Sequence, residues 1–186
     1  KHLSPTPDAL LVDTCACPGG KSFASAVAMQ NRGKVYSFDI HKSKLSLITG
    51  GAERLGISII ETGVRDAREE NPELLGKCDF VVVDAPCSGL GVISKKPDIR
   101  RKNEEDIKRL PEIQYDILQS AARLLRVGGR LLYSTCTLNA LENEKITDKF
   151  LEENEGFERA EGFPKTYFPT AETLDGFFSD ILVRIK

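Results

Sequence analysis

Unbroken apolar runs recur along the chain, each followed by a stretch with helical spacing, and that alternation restricts the fold more than any other feature. "ALLVDTCA" (9–16), "VYSFDI" (35–40), "ISIIETGV" (57–64), "CDFVVVDAP" (78–86) and "LLYSTCT" (131–137) read as strands. "SFASAVAMQ", "KSKLSLITGGAERLG", "NEEDIKRLPEIQYDILQSAARLL" and "LENEKITDKFLEEN" read as helices. Continuous β-branched runs are buried on both faces, and strands alternating with helices join through crossovers. The expected fold is therefore α/β, a mostly parallel sheet with helices on both faces. "RVGGR" reads as a turn into the fifth strand, and "GFFSDILVRIK" as a last strand. The turn-rich "GFPKTYFPTAETLDG" before it is expected to give an antiparallel hairpin, with the C-terminal strand at the sheet edge. Gly50-Gly51 weakens the second helix, and Pro111 predicts a bend in the third because it lacks an N–H.

There are no repeats or low-complexity linkers, so the 186 residues are expected to form one domain spanning 1–186. No run reaches the roughly 18 apolar residues of a membrane span. A net charge of −2 gives no global attraction to nucleic acid. The chain opens Lys1-His2-Leu3 without methionine or secretory signal, which is expected of a fragment or processed product. Five scattered cysteines cannot all pair, so reduced thiols in a cytoplasmic monomer are expected.

"DTCACPGGKS", Asp13 through Ser22, follows the first strand. It lacks the first glycine of a Walker loop and the dinucleotide G-x-G-x-x-G. Cys15 and Cys17 would need two more metal ligands, and the two histidines, His2 and His41, form no cluster, so no metal is expected. C-x-C is not the thioredoxin-type spacing. What remains is a tight turn at the carboxyl end of a strand, where Cys17, Pro18, Gly19, Gly20 and Lys21 can lie close to a ligand. Asp39, at 39 − 20 = 19 residues past Gly20, is spaced to accept bonds from ribose hydroxyls; the bland alternative is a helix cap. Asp66 is a third polar contact, beside an adenine. Together they suggest an adenosyl ligand without phosphates.

Asp84, Pro86 and Cys87 follow the fourth strand and Cys136 ends the fifth, all at the same sheet edge. Cys78 reads as a small buried hydrophobe. Two thiols and a carboxylate beside an adenosyl pocket suggest covalent catalysis on a base. Lys95, Lys96, Arg100, Arg101 and Lys102 are either phosphate contacts or a solvated basic loop. Glu142 and Glu144 read as helix-dipole compensation.

"DTCACPGGKS", "FDI", "RDA", "VVVDAPCSGLGVISKKPDIR", "YSTCTLNALENE" and "TLDGFFSDILVRIK" closely resemble the catalytic domain of bacterial ribosomal RNA cytosine-5 methyltransferases, the Sun/Fmu group of the NOL1/NOP2/Sun family. Cys-Ala-Cys-Pro stands where many relatives have Cys-Ala-Ala-Pro. The resemblance implies a class I, Rossmann-like fold that uses S-adenosylmethionine, with Asp84 in both the cofactor and catalytic sets. It implies an RNA partner, most simply small-subunit ribosomal RNA, whose base is presented unstacked. It also implies an RNA-binding region ahead of this domain, which is expected to lie outside the chain. By resemblance Cys136 is the nucleophile for cytosine carbon 6, Asp84 holds the N3/N4 edge, and Cys87 assists proton removal and release. Lys21 is expected to orient Asp84 and to lower a thiol pKa. The alternatives are a DNA cytosine-5 methyltransferase using Cys87, a non-catalytic ribosome-assembly factor, and, disfavoured by the missing glycine fingerprint, a dehydrogenase.

Overall fold

The computed structural model describes residues 3–170 and 175–186. Its strands are β1 (Leu10–Asp13), β2 (Lys34–Asp39), β3 (Ile60–Val64), β4 (Cys78–Asp84), β5 (Leu125–Thr135), β6 (Phe157–Arg159), β7 (Lys165–Tyr167) and β8 (Phe177–Arg184). They form one sheet in the order β3-β2-β1-β4-β5-β8-β6, with β7 also paired to β8. The first five strands are mutually parallel, as the alternation requires. From β1 the chain winds outward through β2 to β3, then returns to β4 on the other side of β1. Such a reversal opens a crevice at the carboxyl ends of the strands.

The helices are α1 (Gly20–Ala28), α2 (Leu45–Arg54), α3 (Glu104–Ala122) and α4 (Glu144–Glu153). Ala26 of α1, with Met29 just beyond it, packs among Leu11, Val35, Phe80, Val82 and Ile181 on one face. On the other, Tyr115, Ile117 and Leu118 of α3 and Ile146 and Phe150 of α4 pack among Val12, Val81, Val83, Leu131 and Tyr133. Successive β4 residues thus point to opposite cores, which is why its apolar run is unbroken. Cys78 sits in the second core with no exposed surface, a small hydrophobe as expected.

The C-terminal strand corrects the expectation of an edge. β8 runs antiparallel to β5 from Arg130↔Val183 to Thr135↔Phe178, and β6 and β7 cover its far side. Ile181 and Leu182 are fully buried in opposite cores, so β8 is covered on both faces as well as paired along both edges. The edge falls to three-residue β6 and β7, short enough to give little template for another chain. β7 does form the expected antiparallel pairing with β8; residues 171–174 of that turn-rich stretch lie outside the described residues.

Three local signals take their outcome from tertiary contacts. "RVGGR" is not a separate turn but part of β5, with an irregularity opposite Cys78–Phe80 and Gly128 at φ 80°. α2 runs unbroken through Gly50-Gly51, because Gly51 leaves the space that the Phe23 ring of α1 fills. α3 is continuous across Pro111, held by a face that buries Tyr115, Ile117 and Leu118.

Candidate active site

The "DTCACPGGKS" loop leaves β1 at the crevice and enters α1 through Gly19, whose φ of 112° strongly favours glycine. A Cβ there would also lie 2.5 Å from the Phe23 ring. The loop is fastened to its neighbours and to itself: Thr14 N–H donates to Val82 O of β4 (3.0 Å), Ala16 N–H to Phe38 O of β2 (2.8 Å) and Gly19 N–H to Ala16 O within the loop (2.7 Å). Pro18, Gly19 and Gly20 shape this turn.

Beside it is a cleft of about 460 Å³ bordered by Thr14, Cys17, Asp39, Ile40, Asp66, Asp84, Pro86 and Ile113, at the ends of β1 through β4. Asp39 accepts from Cys17 N–H (3.2 Å) and His41 N–H (2.9 Å), so it braces the loop and caps its own turn while facing the cleft. Asp66 is gripped by Arg68 at 2.5 Å, which holds its carboxyl below the ordinary range. Burial pushes the Cys15 thiol up to about 12 and, with Asp39, the Cys17 thiol up to about 11. Neither is a thiolate at neutral pH.

Lys21 does not border this cleft. Its Nζ lies 2.6 Å from Asp84 Oδ2 and 5.2 Å from the centre of the Phe177 ring. Beyond it, on the α1 face, is a cavity of about 770 Å³. Asp84 also accepts from Ser134 Oγ at 2.9 Å. The β4–β5 register pairs Asp84 with Ser134, so the loops leaving both strands emerge side by side.

Those loops bring Cys87 and Cys136 together with their sulfurs 3.2 Å apart. A hydrogen bond from the Cys87 thiol lowers Cys136 to about 7, against burial and Asp84, while Lys96 helps. Cys87 moves the other way, pushed up by donating to Cys136 and by burial. The contact shifts the two thiols in opposite directions, Cys136 toward the thiolate and Cys87 away from it. The cation acting on Cys136 is Lys96; Lys21 is bound to Asp84.

Under the thiols lies a polar scaffold that sequence reasoning missed. Glu142, read there as dipole compensation, is fully buried. Its carboxylate accepts from Ser88 N–H (2.8 Å), Gln114 Nε2 (3.0 Å) and Asn139 Nδ2 (2.9 Å). The only sequence signal was its place in "ENE" just after the Cys136 loop. Glu144, by contrast, begins α4 as expected. In the basic stretch, Lys102 Nζ donates to Cys87 O (3.2 Å) and Ser88 O (2.9 Å) and so serves the loop itself. Lys95 pairs with Asp175 at 2.5 Å, whereas Lys96, Arg100 and Arg101 are exposed. His41 is exposed, and His2 lies outside the described residues. Among the described residues no group of three or more His, Cys, Asp or Glu side chains could hold a metal, and no helix is long and apolar enough to cross a membrane.

The family model for 16S rRNA methyltransferase RsmB/F matches residues 1–183. A Bacillus subtilis (strain 168) protein described as "Probable ribosomal RNA small subunit methyltransferase B" is 45% identical over 164 residues, which cover 85% of this chain and 36% of the relative. The 28S rRNA (cytosine-C(5))-methyltransferase of Mus musculus is 34% identical over 202 residues, covering 95% of this chain and 25% of the relative. The chain therefore spans about a third of the first relative and a quarter of the second. The crystal structure of NSun6 from Pyrococcus horikoshii with SFG superimposes with a TM-score of 0.86 at 31% identity, covering 99% of this chain and 50% of that one.

Proposed function

The chain belongs to the 16S rRNA methyltransferase RsmB/F family, and from that premise we propose that it carries the centre that methylates carbon 5 of a cytosine in RNA. We take small-subunit ribosomal RNA as the substrate and S-adenosylmethionine as the methyl donor. The observation that carries this reading is the contact of the two thiols, their sulfurs 3.2 Å apart, at the same sheet edge as the ion-paired Asp84.

The crevice fits that cofactor by its donor set. Asp39 and Asp66 offer carboxylates for the ribose and adenine, Ile40, Pro86 and Ile113 offer apolar walls, and the loop, fastened to its neighbours and to itself, makes no phosphate cradle. When bound, S-adenosylmethionine supplies an electrophilic methyl group.

Carbon 5 of cytosine is a weak nucleophile, so a thiolate must first add at carbon 6. Cys136, whose pKa is lowered by its contact with Cys87, is the group to supply it. Addition pushes electrons to N3, where a proton is taken up, and leaves carbon 5 enamine-like. Asp84, steadied by Lys21 and Ser134, is the group to hold the N3/N4 edge and share that proton. After methylation the carbon 5 proton must leave and the sulfur–carbon bond must break, its electron pair returning to Cys136. We assign this step to Cys87. The chief cause of its raised pKa is its bond to Cys136, which is gone once that sulfur is bonded to carbon. Cys87 then gives its own proton to solvent, its thiolate takes the carbon 5 proton, and the N3 proton leaves as the sulfur–carbon bond breaks. The base must be unstacked or single-stranded to enter. The reading with Cys87 as nucleophile, as in a DNA enzyme, is disfavoured because burial and the contact with Cys136 push the Cys87 thiol up, away from the thiolate.

The test is a denaturing gel with labelled RNA and the full-length protein. Cys136→Ala should abolish both methyl transfer and any covalent complex, while Cys87→Ala should accumulate a denaturation-resistant adduct. An adduct in Cys136→Ala but not Cys87→Ala would reverse the roles. Unchanged methylation in both would end the covalent mechanism and leave the thiols structural.

A further inference from the structure

We infer that Glu142 is a positioning residue for the thiol pair: its buried carboxylate ties the Cys87 loop to the Cys136 loop and so fixes the contact through which Cys87 acts on Cys136. The inference rests on the reading of Cys136 as nucleophile.

Glu142 lies in the short helical turn Ala140–Glu142 that precedes α4, where an exposed acid would serve a helix end equally well. Instead the side chain has no exposed surface and no Lys or Arg pairs with it among the described residues. A carboxylate in such a place is costly unless its oxygens are filled by donors. They are filled by three elements at once. Oε2 takes the backbone N–H of Ser88, one residue past Cys87, and Nε2 of Gln114 from α3. Oε1 takes Nδ2 of Asn139, three residues past Cys136.

Each donor is itself tied to a thiol loop. Gln114 Nε2 also donates to Pro86 O at 2.9 Å, and Asn139 N–H to Thr137 Oγ1 at 3.2 Å. Ser88 Oγ and Thr137 Oγ1, each next to a cysteine, share a 2.8 Å hydrogen bond. Tyr133 at the end of β5 donates to the Glu142 carbonyl at 2.8 Å and pins the turn from below. An apolar residue could fill this space, but it would leave the Ser88 N–H without an acceptor, take one acceptor from each of Gln114 and Asn139, and leave the two loops without a common anchor.

What the clamp sets is a sulfur–sulfur contact of 3.2 Å, and such a hydrogen bond does not survive a separation larger by an ångström or so. The groups facing Cys136 are Cys87, Asp84 and Lys96, and of these Cys87 contributes most to its thiolate character. Loosening the loops removes that contribution while the burial and the Asp84 charge that oppose ionisation remain.

The test uses Glu142→Gln in the full-length protein. The carboxamide keeps the shape but offers one acceptor oxygen and turns the other position into a donor facing N–H groups. The readout is the pH dependence of alkylation of Cys136 by iodoacetamide, followed on its own peptide by mass spectrometry. Cys15, Cys17 and Cys78 are pushed up to about 12, 11 and 12 and do not compete near neutrality. Alkylation at pH 7 should slow by about tenfold as Cys136 returns toward the ordinary thiol range. S-adenosylmethionine affinity by calorimetry should stay unchanged. In a Cys87→Ala background the same substitution should add nothing, since the contact it protects is gone.

An alkylation profile identical to wild type in folded Glu142→Gln overturns the inference. So does an undiminished slowing in the Cys87→Ala background, which would mean that Glu142 does not act through Cys87. If Glu142→Gln does not fold, Asn139→Ala removes one donor and keeps the carboxylate; it should slow alkylation less but in the same direction, and no slowing overturns the inference. Alkylation needs no RNA, so a failure of the proposed function appears separately, as wild-type protein that transfers no methyl group to RNA.

Discussion

Asp13→Asn should stabilise the protein above neutral pH and not below pH 5. Asp13 closes β1 with no exposed surface. One oxygen accepts from Ser22 Oγ at 2.7 Å, which in turn accepts from Ser37 Oγ at 2.8 Å; the other, Oδ1, is buried without a partner. Burial is the chief cause that pushes its pKa from 3.8 up to about 7, with the Ser22 bond opposing and Asp84 adding repulsion. A carboxyl whose pKa is raised on folding contributes most when protonated in both states, below about pH 4. That contribution is lost as the pH rises through the folded value near 7. A rise of about 3 units corresponds to about 4 kcal/mol between those limits. The amide cannot ionise and still accepts from Ser22, but it leaves a buried N–H at the Oδ1 position, costing about 1–3 kcal/mol. The net gain at pH 8 is about 1–3 kcal/mol. For a domain of this size that raises Tm by roughly 2–12 °C. At pH 4 the variant should be equal to wild type or less stable. Thermal unfolding by circular dichroism at pH 4 and pH 8 measures the difference, and subtracting wild type from variant cancels every other titrating group. A variant-minus-wild-type shift that is the same at both pH values would refute a buried, late-titrating Asp13.

Asp39→Ala should weaken S-adenosylmethionine binding by tenfold or more in calorimetry, since a lost charge-assisted bond is worth about 1.5–3 kcal/mol; equal affinities would remove Asp39 from the site. Gly19→Ala should lower Tm by roughly 4–8 °C, because the left-handed φ and the Phe23 contact together cost about 2 kcal/mol. A Tm within a degree of wild type would show that the turn adapts.

The parallel sheet, its helices and the edge to which the candidate residues are brought were all legible from the sequence. Apolar period and turn residues are local properties, and a crossover between parallel strands follows from them almost without choice. Asp84, Cys87, Cys136 and the opening loop fall at one edge simply because each follows a strand. What the sequence could not decide was who meets whom along that edge. The 3.2 Å contact of Cys87 with Cys136 depends on β4 and β5 being neighbours in the register that pairs Asp84 with Ser134. Lys21 meets Asp84 as expected, but its distance from Cys136 and the nearness of Lys96 follow from the tertiary structure alone. Glu142 has the pattern of a surface helix-end acid, and only the approach of Ser88, Gln114 and Asn139 makes it a buried anchor. β8 likewise reads as a terminal edge strand, yet both of its neighbours are supplied from elsewhere in the chain. Burial and charge state at these positions are set by residues tens of positions away, which no local pattern encodes.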